Sequence, residues 1–124
     1  MQVIGFDHVV LAVADVERSL SWYMNVLGLA GVRVEEWRRE EVPFPSIRVN
    51  ATTIIDLVPR GRPGGGRNLD HLCLVVEPTD LAAWADGAGL AIIDGPDRRF
   101  GAQGIATSIY VQDPDDNIIE LRHY

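Results

Sequence analysis

Polar and apolar positions alternate along much of this chain, and the alternation changes period at regular intervals. In "FDHVVLAVAD", residues 6–15, Val9, Leu11 and Val13 fall on one face of an extended strand. His8, Val10 and Ala12 fall on the other. A helical pattern follows in "DVERSLSWYMNVLGL", with Asp15 as its N-cap and Gly28 just past its end. Trp22, Tyr23, Met24 and Leu27 stand at helical spacing and are expected in the core. Three β-like runs come next, at about 31–39, 44–50 and 53–59.

The same order then repeats. "LDHLCLVVEP" at 69–78 resembles the first strand, with Leu72, Leu74 and Val76 on one face and His71, Cys73 and Val75 on the other. "TDLAAWADGAGL" reads as a helix with Thr79 as N-cap and Gly89 past its end. Runs at about 91–97, 105–112 and 117–122 complete the second half. The pattern predicts an α+β fold of two tandem βαβββ modules in a paired architecture. Module one covers about 1–59 and module two about 69–124, joined by a Gly- and Arg-rich linker, "RGRPGGGRN", at 60–68.

Alternation also sorts the later strands. Ile47 and Val49 oppose Ser46, Arg48 and Asn50, and Ile109 and Val111 oppose Ser108, Tyr110 and Gln112. Ile55 and Leu57 oppose Asp56; Ile119 and Leu121 oppose Glu120. Each module thus has an apolar face for its helix and a mixed face bearing one histidine and one acid. A carboxylate inside an apolar strand is costly to bury unless something pairs with it. Facing sheets would bring His8, His71, Asp56 and Glu120 into one cavity. Two imidazoles and two carboxylates make a usable donor set for a divalent transition metal such as Ni, Co, Zn, Mn or Fe.

Composition narrows the partners. The 124 residues suffice for one compact domain, and the net charge of −7 disfavours nucleic acid and anionic membrane surfaces. A single cysteine, Cys73, excludes an intrachain disulfide and fits a cytoplasmic location. "MQVIGFDHVV" lacks a basic segment followed by a long apolar stretch, so no signal peptide or membrane span is expected.

"DHVVLAVADVERSLSWYMNVLGL", "DHLCLVV" and "TSIYVQDPDDNIIEL" together resemble the vicinal oxygen chelate superfamily of glyoxalases, bleomycin- and fosfomycin-resistance proteins and extradiol dioxygenases. The resemblance implies that the two modules form a cupped mixed sheet around a metal, with ligands at His8, His71 and Glu120 and with Asp56 at the fourth place, where glyoxalase and epimerase branches usually carry glutamate. It places Tyr110 at a cavity tyrosine of the fosfomycin-resistance branch, with Glu120 and Tyr110 as candidate catalytic groups. Arg48, Ser108 and Tyr110, with Arg60 near Asp56, are candidate substrate contacts. Asp116 replaces the usual glycine of the hairpin, and Ala12 stands where glutathione-using members place an arginine. The implied activity is a metal-dependent, glyoxalase-type lyase or isomerase reaction on a small oxygenated substrate. Two alternatives remain open: an Fe(II) extradiol-type dioxygenase using His8, His71 and Glu120 alone, and a non-catalytic small-molecule or drug-binding protein. Pairing of modules between chains, common in that superfamily, implies a homodimer. "RRFGAQG" at 98–104 is either a lid or a plain hairpin loop.

Overall fold

The structure is a computed structural model, and it describes residues 1–60, 68–112 and 118–124. The central part of the expected linker and the hairpin containing Asp116 lie outside the described residues. Element order is β1 (Val3–Val13), α1 (Val16–Ser21), β2 (Ala30–Val32), α2 (Val34–Arg38), β3 (Ser46–Asn50) and β4 (Thr53–Pro59). There follow β5 (Leu69–Val76), α3 (Leu81–Gly87), β6 (Asp94–Arg99), β7 (Ala106–Gln112) and β8 (Ile118–His123). The chain forms two compact units, one of residues 1–8 and 71–124, the other of residues 9–70.

In the first unit the strands lie in the order β1-β5-β8-β7-β6. β5 runs parallel to β8, with Cys73 opposite Glu120, and β8 pairs antiparallel with β7, with Tyr110 opposite Glu120 and Ser108 opposite Arg122. One face of this sheet carries an apolar core of Val76, Leu81, Ala85, Ile109, Val111 and Leu121. Leu74, Trp84, Ile92 and Ile119 pack against it. Every strand residue in that list occupies the face expected for the helix. The period of two therefore leaves the odd-one-out polar residues, including Glu120, on the opposite face.

In the second unit the order is β2-β3-β4-β1. β2–β3 and β3–β4 are antiparallel, with Ser46 opposite Asp56. Val16, Leu20, Ile47 and Leu57 form its core, joined by Leu11, Val13, Met24, Val34, Trp37 and others. Gly28 (φ 70°) and Gly89 (φ 69°) close their helices in the left-handed conformation, as expected. Among the described residues no helix is long and apolar enough to cross a membrane.

Three local expectations change. The run at 31–39 is a strand only over Ala30–Val32, after which α2 takes over. Its "VEEWRRE" sequence is rich in helix formers and poor in strand formers. Val34 and Trp37, three apart, both pack inward, and Arg38 bonds Glu35 at 2.8 Å and Glu17 at 2.9 Å. Trp22 (49% exposed) and Leu27 (51% exposed) are not core residues. After Ser21 the helix continues as a π turn, Trp22–Val26, and the wider turn takes these positions out of the 3.6-residue stripe. The N-cap of α3 is Asp80 rather than Thr79: the Asp80 carboxylate accepts a 3.0 Å bond from the Ala83 amide, the geometry Asp15 uses toward Arg18. Asp80→Ala is accordingly expected to cost about 1 kcal/mol in urea denaturation. Thr79→Ala should stay within a few tenths of a kcal/mol, and an equal loss from both would remove the cap assignment.

Candidate metal centre

β1 brings His8 to the first unit, β5 brings His71, and β8 brings Glu120. Their donor atoms converge. His8 Nε2 lies 3.0 Å from Glu120 Oε2, His71 Nε2 lies 3.1 Å from the same oxygen, and the two imidazole nitrogens are 3.2 Å apart. The rings meet edge to face, with centroids 5.3 Å apart. His8 and Glu120 are buried, whereas His71 is partly exposed.

The buried charge is balanced by polar groups behind the donor triangle. Arg122 is fully buried, with Nη1 3.5 Å from Glu120 Oε1 and Nε 3.8 Å from Asp7 Oδ2. The same guanidinium donates to the carbonyls of Phe100 (2.6 Å), Arg99 (2.8 Å) and Gly104 (3.2 Å). Asp7 in turn lies 2.7 Å from His8 Nδ1, accepts from the Ala102 amide at 2.9 Å and accepts from the Tyr124 hydroxyl. A β-carbon on Gly101 would stand 2.3 Å from the Arg122 guanidinium and 2.4 Å from the Tyr124 oxygen. Segment 99–104 is therefore pinned onto β8 by Arg122, and its glycine at 101 is what permits the approach.

Electrostatics follow the contacts. Burial pushes the Glu120 carboxyl up, but hydrogen bonds from His71 and His8 and the His8 charge hold it well below the usual carboxylate range. Burial pulls His8 down, yet its bonds to Asp7, Cys73 and Glu120 outweigh this and raise it to about 12. Burial pushes the Cys73 thiol up to about 12, so it stays neutral and is no nucleophile. Burial and the Glu120 charge raise Tyr110 well above an ordinary phenol, which keeps its O–H as a donor. The Tyr110 ring sits edge-on to His71 at 5.2 Å, and the Arg99 guanidinium lies 5.5 Å from the Tyr110 centroid.

Ser108 is buried in the first unit, and its hydroxyl is among the groups that hold the Glu120 carboxyl low. Asp56 lies in the second unit. There its carboxylate accepts a 2.5 Å bond from Ser46 Oγ and stands 3.7 Å from Arg33 Nη2. Arg48, also in the second unit, donates to the carbonyls of Asn50 (3.0 Å) and Ala51 (3.3 Å). Among the described residues, two groups of donors lie close enough to share an ion: His8, His71 and Glu120, and Asp7, His8 and Cys73.

Residues 5–121 match the family described as the Glyoxalase/Bleomycin resistance protein/Dioxygenase superfamily. The chain belongs to that superfamily. It is 33% identical over 122 residues to the virulence protein STM3117 of Salmonella typhimurium, spanning 95% of this chain and 83% of that protein. The fold resembles the Mn(II)-bound glyoxalase of Novosphingobium aromaticivorans, with a TM-score of 0.73 and 20% identity over 98% of this chain and 38% of that one. It also resembles the methylmalonyl-CoA epimerase of Mycobacterium tuberculosis, with a TM-score of 0.69 and 23% identity over 98% of this chain and 88% of that one.

In this superfamily member, sequence reasoning found the three converging donors and missed Asp7, Arg122 and Tyr124. Asp7 had a visible signal, since an acid precedes the histidine in both halves, at Asp7-His8 and Asp70-His71. Arg122 had a weaker one: a cation two residues beyond Glu120 shares its strand face. Removing that cation leaves Glu120 and Asp7 buried with less compensation. Arg122→Met should therefore destabilise the metal-free protein by about 3–5 kcal/mol, read from urea denaturation, and a loss below about 1 kcal/mol would show that the guanidinium balances neither acid.

Proposed function

We propose that the chain is a metal-dependent enzyme of the glyoxalase type, in which His8, His71 and Glu120 hold a divalent ion that chelates two oxygens of a small substrate. The observation that carries this reading is the near-equilateral triangle of donors, 3.0, 3.1 and 3.2 Å on a side. With metal–ligand bonds of about 2.1 Å, three adjacent ligands of an octahedron are spaced about 3.0 Å apart, and tetrahedral ligands about 3.4 Å. Donors spaced between these limits would be able to hold one ion together, and the donor chemistry suits Mn, Fe, Co, Ni or Zn. When bound, such an ion supplies Lewis-acid polarisation of the substrate oxygens.

The protein's own groups divide the remaining work. Glu120, held ionised, contributes the negative charge of the ligand set. His71 is the partly exposed ligand, and Tyr110 stands edge-on to it with a protonated hydroxyl that bonds Glu120 and would have to turn from it to meet a substrate oxygen. Arg99, beside the Tyr110 ring, is ion-paired with Asp94 at 2.7 Å and stands 3.6 Å from Asp97, so its charge is largely offset there. The set favours a small carboxylate, hydroxy ketone or phenolic compound, with proton transfer beside a carbonyl as the lyase or isomerase step. A second reading is a dioxygenase. Its support is that the donor group comprises two histidines and one carboxylate, the ligand type that suits Fe(II) and oxygen.

Acetohydroxamate, a bidentate oxygen chelator, serves as the test ligand. It is expected to bind protein loaded with Mn, Co, Ni or Zn and to lose that binding in His71→Ala. Hydroxamate binding that survives His71→Ala would defeat the site assignment. Oxygen uptake with a catechol, confined to iron-loaded protein, would select the second reading.

Metal affinity should also depend on pH, with a sign set by His8. Its raised pKa means that the metal-free protein carries a proton there at neutral pH, and the ion must displace it. Apparent affinity is expected to rise about tenfold per pH unit between pH 6 and 8, with one proton released per ion. A flat profile in titrations at pH 6, 7 and 8 would mean that His8 is already neutral.

A further inference from the structure

Asp7 does not belong to the three-donor triangle, yet its side chain is as completely buried as any in the site. Its two oxygens are fully employed. Oδ1 meets His8 Nδ1 at 2.7 Å and the Ala102 amide at 2.9 Å, while Oδ2 accepts from the Tyr124 hydroxyl and faces Arg122 Nε at 3.8 Å. Tyr124 is itself fixed, by the Gln103 amide at 3.0 Å and by the Arg122 guanidinium 4.9 Å from its ring centroid. The repeat offers a control within the same chain: Asp70, which precedes His71 as Asp7 precedes His8, is exposed. Burial of the acid is thus particular to the first histidine.

Resting on the metal reading above, we propose that Asp7 is the positioning residue of the site, clamped by Ala102, Tyr124 and Arg122 so that it fixes the ring and tautomer of His8. An imidazole that donates from Nδ1 to a carboxylate has its Nε2 lone pair free, and Nε2 is the atom that points to Glu120 and His71. The carboxylate also makes the ring a stronger electron donor. Tyr124 acts one step further out, through Asp7. Segment 99–104 enters the same device, since the Ala102 and Gln103 amides hold Asp7 and Tyr124 directly. A group that does not touch the ion, acting across the His8 ring, therefore sets how tightly the ion is held.

The test measures zinc and manganese affinity by competition with a chromogenic chelator for the parent, Asp7→Asn, Tyr124→Phe and the double variant. Urea stability of each metal-free protein is measured alongside. Asp7→Asn is expected to weaken affinity by about 10–100-fold, and Tyr124→Phe by a smaller factor. The double variant should be close to Asp7→Asn alone, because both changes act through one carboxylate. Nitrogen-15 NMR of the zinc-loaded parent should show His8 protonated on Nδ1, with that signal shifted or broadened in Asp7→Asn and the His71 signals retained. Affinities within twofold of the parent in both single variants would overturn the proposal, as would a loss of affinity with an unchanged His8 signal. Multiplying losses in the double variant would also overturn it. A parent that binds neither metal would overturn the metal reading itself, which separates that failure from this one.

Discussion

A carboxylate buried in an apolar strand is the constraint around which the first unit is organised. Glu120 is 1% exposed, and Ile119 and Leu121 on either side of it belong to or pack against the hydrophobic core. Removing such a charge from water costs several kcal/mol even after relaxation, so it persists only with dedicated partners. The two oxygens take different ones. Oε1 faces the Arg122 guanidinium, and Oε2 is left to the two histidines. Arg122, itself fully buried, gives its two Nη groups to the carbonyls of residues 99, 100 and 104, while its Nε makes no hydrogen bond and faces Asp7 at 3.8 Å. The path of that segment thus follows from the need to bury one acid.

Core and site are two faces of one strand pattern. Because successive side chains point to opposite sides, the residues that seal α3 against the sheet oblige their neighbours to face away. A one-residue slip of β8 against β7 would exchange Glu120 with an apolar neighbour and lose core and donor triangle together. The apolar packing of Ile109, Val111 and Leu121 therefore fixes the register on which the donor distances depend. Packing energy is in this sense what holds the candidate ligands in place.

The parts legible in the sequence were those governed by period and repetition. Alternation placed His8, His71 and Glu120 on one kind of face, and the likeness of "FDHVVLAVAD" to "LDHLCLVVEP" put the two histidines at equivalent places. The parts that escaped were set by partners far away in sequence. Nothing local to Asp7 says that Ala102 and Tyr124 will close over it, more than ninety residues on. Arg122 reads as an ordinary surface cation until the carbonyls that receive it are known. Trp22 fits a helical stripe, and only the π turn at Trp22–Val26 removes it from the core. At 31–39 apolar residues were read at the wrong period: Val34 and Trp37 satisfy a helical spacing as well as they interrupt a strand.

The two halves solve the buried-acid problem with the same chemistry but different geometry. Asp56 stands in β4 where Glu120 stands in β8, and each has an arginine for company. Arg33, just before α2, approaches Asp56 and also donates to Ser46 at 2.5 Å, so that Ser46 links the cation to the acid. Asp56 Oδ1 accepts from Ser46 and stands 3.7 Å from the Arg33 guanidinium. In the second half the arginine comes from the same strand as the acid and engages Oε1, so Oε2 faces the histidines. With different partners on its two oxygens, the Glu120 carboxylate has one oxygen compensated by Arg122 and the other turned to the histidines. This division lets a carboxylate be buried stably and still present an oxygen to a third partner. Tandem repetition thus supplies the same fold twice, while the placement of each arginine decides which oxygen of its acid is engaged.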